Sequence, residues 1–143
     1  METSSTQNIF RRLLGMIMVA AGAGHLSFKR TEFQAQVPRW LTDNPEIIDL
    51  VVVASGVAEI LLGLAMIFWF RQKIKVGIAL ALFYLLIFPG NISQYMNGID
   101  AFGLDTDNKR LIRLFFQPVL MLWALWSTGA WQHLFKKSEK QNK

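Results

Sequence analysis

The chain has 143 residues, enough for one domain, with 52% hydrophobic and 17% charged residues, a net charge of +5 and no cysteine. So little charge cannot clothe a water-soluble protein of this size. The missing thiols exclude disulfide exchange, thiolate chemistry and thiolate metal sites within this chain.

The apolar residues fall in four blocks, 9–28, 47–70, 76–96 and 111–135, separated by charged stretches. Each block has the length of a helix that crosses about 30 Å of hydrocarbon. The block "VGIALALFYLLIFPGNISQYM" is apolar all round for most of its length, whereas a soluble bundle would show an apolar stripe with a polar face. The reading is an all-α membrane protein, a single bundle of four transmembrane helices at about 9–28, 47–70, 76–96 and 111–131, with a disordered basic tail at 136–143. The first block, "RRLLGMIMVAAGAGH", has features of a signal peptide. A first spanning helix preceded by Arg11 and Arg12 accounts for it better, because three later blocks follow.

Positive charge sets the orientation. Arg11, Arg12, Arg71, Lys73, Lys75, Lys136, Lys137, Lys140 and Lys143 fall on one side and face only Glu2 and Glu139. Lys29, Arg30, Arg39, Lys109, Arg110 and Arg113 fall on the other, among seven acids. Both termini are therefore placed in the cytoplasm of a cell-membrane protein. Trp69 and Trp131 stand where a cytoplasmic aromatic belt belongs. The net charge serves topology and contact with anionic membrane lipids, not nucleic acid.

Polar residues inside the apolar blocks are the candidates for a site. His25, Glu59, Asn91, Gln94, Arg113 and Gln117 all fall, in this topology, between the membrane midplane and the outer surface, and the inner halves offer almost none. Ser55, Gly56, Glu59 and Gly63 share one helix face, as do Gly15, Ala21, Gly22 and His25, and small residues mark helix contact. Pro89 and Gly90 interrupt the third helix, so freed carbonyls there need partners. A carboxylate at the centre of a spanning helix costs about 2.5–3.5 kcal/mol on insertion scales. Glu59 is therefore read as protonated, or paired with His25 or Arg113. The plainer alternative is that it only ties helices together by hydrogen bonds. "LDTDNK" at 104–109 lacks the turn glycine and distal glutamate of a calcium loop, and Asp107 reads instead as a helix cap. "VPRWLTDNP" reads as lying at the outer interface with Trp40 and Leu41 dipping in, or as a lid.

In order, "GAGH" with Phe28, "VPRW", "SGVAEILLGLAM", "FPGNI" and "RLFFQPVLMLWAL" resemble the small four-helix membrane proteins of the DoxX-like group. The resemblance spans 22–125 and implies that Gly22, His25, Pro38, Trp40, Ser55, Gly56, Glu59, Gly63, Pro89, Asn91, Arg113 and Gln117 are signature residues. Two positions depart from it: Leu26 follows His25, and Phe115 stands where a proline is frequent, with Pro118 after Gln117. The group includes membrane subunits linked to quinol or thiosulfate oxidation, maturation components and chaperone-like assembly factors, so the resemblance does not choose a function.

Three functions fit. The first is a redox-associated subunit binding a quinone-like or other lipid-soluble molecule, its polar cluster formed by His25, Ser55, Glu59, Asn91, Gln94, Arg113 and Gln117. A partner subunit would carry the redox centre, because His25 and His133 fall at opposite faces and cannot ligate one haem together. A haem held by His25 alone stays open. The second is a non-catalytic assembly factor binding a partner's membrane helix. The third is an enzyme isomerising or hydrating a lipid, with Glu59 and His25 as acid and base. No metal is expected.

Overall fold

Ser4 begins the first helix. Its hydroxyl accepts from Gln7 N–H while the Gln7 side chain accepts from Ser4 N–H, a reciprocal cap. In the computed structural model, which describes residues 3–27, 30–99 and 106–141 but not the side chains of 30, 32, 36 and 137–139, this cap opens α1 (Ser5–Leu26). A short α2 (Arg30–Gln36) follows. Asn44 caps α3 (Pro45–Phe68), with Pro45 in the first turn, where its missing N–H costs nothing. A single 3-10 turn, Phe70–Gln72, leads into α4 (Lys73–Met96). Thr106 caps α5 (Asp107–Thr128) by accepting from Lys109 N–H. Gly129, at φ +79°, ends α5 in the left-handed conformation glycine tolerates, and α6 (Ala130–Gln141) restarts beyond it.

Several expectations change here. Thr106, not Asp107, is the cap; the Asp107 carboxylate instead accepts from Arg110, 2.8 Å away. The tail expected to be disordered from 136 is helical to Gln141. The α2 helix was not anticipated. Phe28, Lys29 and the Leu104–Asp105 half of the calcium-loop reading lie outside the described residues.

Four helices, α1, α3, α4 with its leading turn, and α5, are long and apolar enough to cross a membrane. They form an up-and-down bundle in which α1 packs on α3 and α5, and α4 on α5 and α3. The α1–α3 seam is the tightest. A Cβ added to Gly15 would stand 2.7 Å from the Gly63 carbonyl, and one on Gly22 would stand 2.6 Å from the Gly56 carbonyl. Two glycines seven apart on each helix thus bring the backbones together, antiparallel. At the opposite seam, Gly77 of α4 packs directly on Thr128 of α5.

The bundle has a basic end, with residues 3–12, 68–76 and 126–141, and a loop end, with residues 22–27, 30–52, 89–99 and 106–113. Leu14, Met18, Met66, Val76, Leu80, Tyr84, Leu120 and Ala124 fill the half toward the basic end. A smaller cluster of Val37, Ile48 and Val52, with Phe33 against it, closes the loop end. Between the two the packing opens. Large apolar side chains, among them Leu50, Leu61, Phe68, Leu82, Leu86, Ile112 and Phe115, cover the outside. Only a hydrocarbon surround makes so extensive an apolar exterior inexpensive.

Candidate functional site

His25 sits one turn past Gly22, and Glu59 lies between Gly56 and Gly63, so the close α1–α3 seam carries both side chains inward. The His25 Cβ lies so close to α3 that a Cβ on Gly56 would come within 2.6 Å of it. His25 Nε2 and Glu59 Oε2 stand 3.1 Å apart, with the residues only 7% and 5% exposed. On the other side of the ring, His25 Nδ1 is 3.3 Å from the Val52 carbonyl. With the proton on Nδ1, the ring donates to Val52 and turns the Nε2 lone pair toward Glu59. Neither Nε2 nor Oε2 has a well-aligned hydrogen bond. The pair is close enough to share a proton, and each atom retains bonding capacity. Phe33 of α2 stacks on the imidazole, ring centres 3.3 Å apart.

The pair opens onto a cavity of about 700 Å³ in the loop half of the bundle. Ile17, Met18 and Ala21 of α1, Val51, Val52 and Ser55 of α3, Phe83, Tyr84, Ile87 and Asn91 of α4, and Arg113, Phe116 and Leu120 of α5 complete its wall. That size suits a small organic ligand, and an apolar lining with few polar groups is the usual composition of such a site. Phe33, Val37 and Pro38 cover its loop end, with the exposed Trp40 and Leu41 at the rim. Val37, Pro38, Trp40 and Leu41 of the "VPRWLTDNP" segment thus border the cavity, with Trp40 and Leu41 also exposed on the outside.

Pro89 stays within a continuous α4 and denies the Leu85 carbonyl its usual donor. One residue earlier, the Tyr84 carbonyl accepts from Gln117 Nε2 at 2.7 Å. Gln117 is fully buried, and its Oε1 accepts from Asn91 Nδ2 at 3.3 Å and Arg113 Nη1 at 3.1 Å. Gln117 thus stands behind the wall and holds the two side chains that face the cavity. No ion pair joins Arg113 to Glu59 within 4 Å among the described residues. Of the two partners considered for Glu59, His25 is the one in contact.

His25, Ser55, Glu59, Asn91 and Arg113 line this one cavity, with Pro38, Trp40 and Pro89 also in its lining. Gln94 lies elsewhere, donating to the Ile99 carbonyl at the end of α4. Gly22, Gly56 and Gly63 form the seam. Two wall residues escaped the sequence reading. The Tyr84 hydroxyl donates to Met18 Sδ at 2.7 Å, and Phe33 stacks on His25. A tyrosine two turns before Asn91 in an otherwise apolar run was a usable signal for the first. Phe33, in a mixed polar stretch, gave none.

The other end also departs from expectation. Gln7, Arg11, Lys73, Ser127 and Thr128 are buried there, so the half read as almost free of polar groups has a cluster of its own. Arg11 Nη1 donates to the Met66 carbonyl and Gln7 Nε2 to the Trp126 carbonyl. His133 lies at this end, far along the bundle from His25. Among the described residues, no three His, Cys, Asp or Glu side chains gather closely enough to hold a metal ion.

Fold and site together define a class: an all-helical bundle with four helices fit to cross a membrane, and a buried imidazole–carboxyl pair facing an internal cavity. The chain belongs to the family described as Domain of unknown function (DUF8561), whose model matches residues 14–128. That span holds every cavity residue named above. No curated protein and no solved structure matches the chain.

Proposed function

We propose that this is a multi-pass cell-membrane protein, its basic end in the cytoplasm, whose cavity binds a quinone-like or similar lipid-soluble molecule in the outer half of the membrane. One observation carries the reading: His25 and Glu59, buried with Nε2 and Oε2 3.1 Å apart and neither atom in a well-aligned hydrogen bond, both line a largely apolar cavity. A ring carbonyl placed there would take a hydrogen bond from the proton the pair shares. Asn91 and Arg113, held by Gln117, would orient a second oxygen.

The chain is a redox-associated subunit rather than an enzyme on its own. Reduction of a quinone to a hydroquinone takes two electrons and two protons. The His25–Glu59 pair handles protons, and a partner subunit supplies the electrons. The five motifs in order support kinship with the DoxX-like group, whose redox-linked members fit this role. The excess of Lys and Arg at the basic end supports the orientation.

The test is purification in native lipid followed by mass spectrometry and visible absorbance of whatever accompanies the protein. A quinone-type molecule present with the wild type and lost with Glu59→Gln is the expected result. An empty preparation that captures a membrane partner equally well with Glu59→Gln would overturn it and favour an assembly factor.

A further inference from the structure

The basic end holds a second concavity, of about 690 Å³, that the proposed function does not use. It is built around the first turn of α4. Arg71 and Lys75 reach it from exposed positions, Lys73 lies 6% exposed in its wall, and His133 closes it from α6. Lys73 Nζ donates to Thr3 Oγ1 at 2.9 Å and stands 4.2 Å from the centre of the Phe70 ring, which fixes its ammonium at the edge of the cleft. No acidic side chain among the described residues lines it.

The surroundings set its depth. Phe68, Trp69 and Phe70 before α4, and Trp131 and Phe135 on α6, are exposed at this level. Trp131 and Phe135 pack together with ring centres 4.6 Å apart. Exposed aromatic rings at the end of an apolar girdle mark the membrane–water interface, the layer that holds lipid phosphates. A cleft of basic side chains between helix ends at that depth has the chemistry of a headgroup pocket.

We propose that Arg71, Lys73, Lys75 and His133 form a binding site for a phosphate group, presented by an anionic phospholipid or by free phosphate. Arg71 offers a planar fork to two phosphate oxygens, and Lys73 and Lys75 add point charges from the same helix start. The site is separate from the cavity around His25 and Glu59 and stands or falls without it.

The experiment uses the full chain in nanodiscs of phosphatidylcholine doped with phosphatidylglycerol, and native mass spectrometry to read which lipid stays bound. The variant is Arg71→Gln/Lys75→Gln, two exposed positions whose loss leaves the core intact. Its control is Lys136→Gln/Lys140→Gln, which removes the same charge from α6 outside the cleft. A parallel arm titrates inorganic phosphate into pure phosphatidylcholine nanodiscs and follows 31P line broadening. Retention of phosphatidylglycerol over phosphatidylcholine, reduced about tenfold or more in the cleft variant and near wild type in the control, assigns a lipid headgroup. Saturable phosphate binding with the same dependence assigns free phosphate. Equal losses in both variants, or no preference for phosphate in either arm, would overturn the proposal.

Discussion

Gln117 illustrates why single polar side chains matter in this bundle. It donates to the Tyr84 carbonyl and accepts from Asn91 and Arg113, so three groups on two helices depend on one amide. Gln117→Leu keeps the approximate volume and strands them. The expected cost is about 1–3 kcal/mol, read as a lowered unfolding temperature by tryptophan fluorescence in detergent, with Gln117→Glu less damaging because it still accepts. Phe33 makes a second case: Phe33→Ala unstacks His25, and mass mapping after diethyl pyrocarbonate treatment should show faster modification at His25 with His133 unchanged. Unchanged reactivity of His25 would mean that α2 does not shield it. At this scale the sequence was informative wherever a residue contradicted its surroundings. His25, Glu59, Asn91, Arg113 and Gln117 stand out because a polar group in hydrocarbon needs a reason. Tyr84 is a milder exception in its apolar run, and Phe33 is none in its mixed one; the roles of both depend on which helix lies opposite.

The elements meet through two kinds of close contact, and substitution separates them. At Gly77 the obstacle to a methyl group is the Thr128 side chain, which can be trimmed. Gly77→Ala should therefore cost about 1–3 kcal/mol by overpacking, and Gly77→Ala/Thr128→Ala should recover most of it. At Gly22 the obstacle includes the Gly56 carbonyl and the Ile60 amide, which no side-chain change removes. Gly22→Ala must push α1 from α3 and displace His25, so it should lower the unfolding temperature without a rescuing partner at Ile60. A full rescue by Ile60→Ala would show that the seam is limited by side chains instead. The four long helices were legible because 20-residue apolar blocks admit few other structures. Their ends were not, because Ser4 with Gln7, Asn44 with Pro45, and Thr106 lie outside the apolar blocks and start helices by hydrogen bonding. A seven-residue α2 and the amphipathic α6 were lost for a related reason: neither is long or apolar enough to announce itself by hydropathy.

The molecule as a whole is asymmetric, with a cleft of basic side chains at one end and a largely apolar cavity lined by His25 and Glu59 toward the other. The side of the membrane each end faces therefore decides which leaflet supplies the cavity. Charge argues for the basic end inside, because short Lys- and Arg-rich segments resist translocation. The absence of cysteine makes a clean test available. Asp43→Cys places a single thiol on an exposed position at the loop end, and Lys140→Cys places one at the basic end. In intact cells a membrane-impermeant maleimide should label Asp43→Cys and leave Lys140→Cys untouched until the membrane is permeabilised. The reverse pattern would invert the protein and hand the His25–Glu59 cavity to the inner leaflet. Labelling of both from outside would contradict the three crossings, α3, α4 and α5, that separate Asp43 from Lys140 and must leave them on opposite faces.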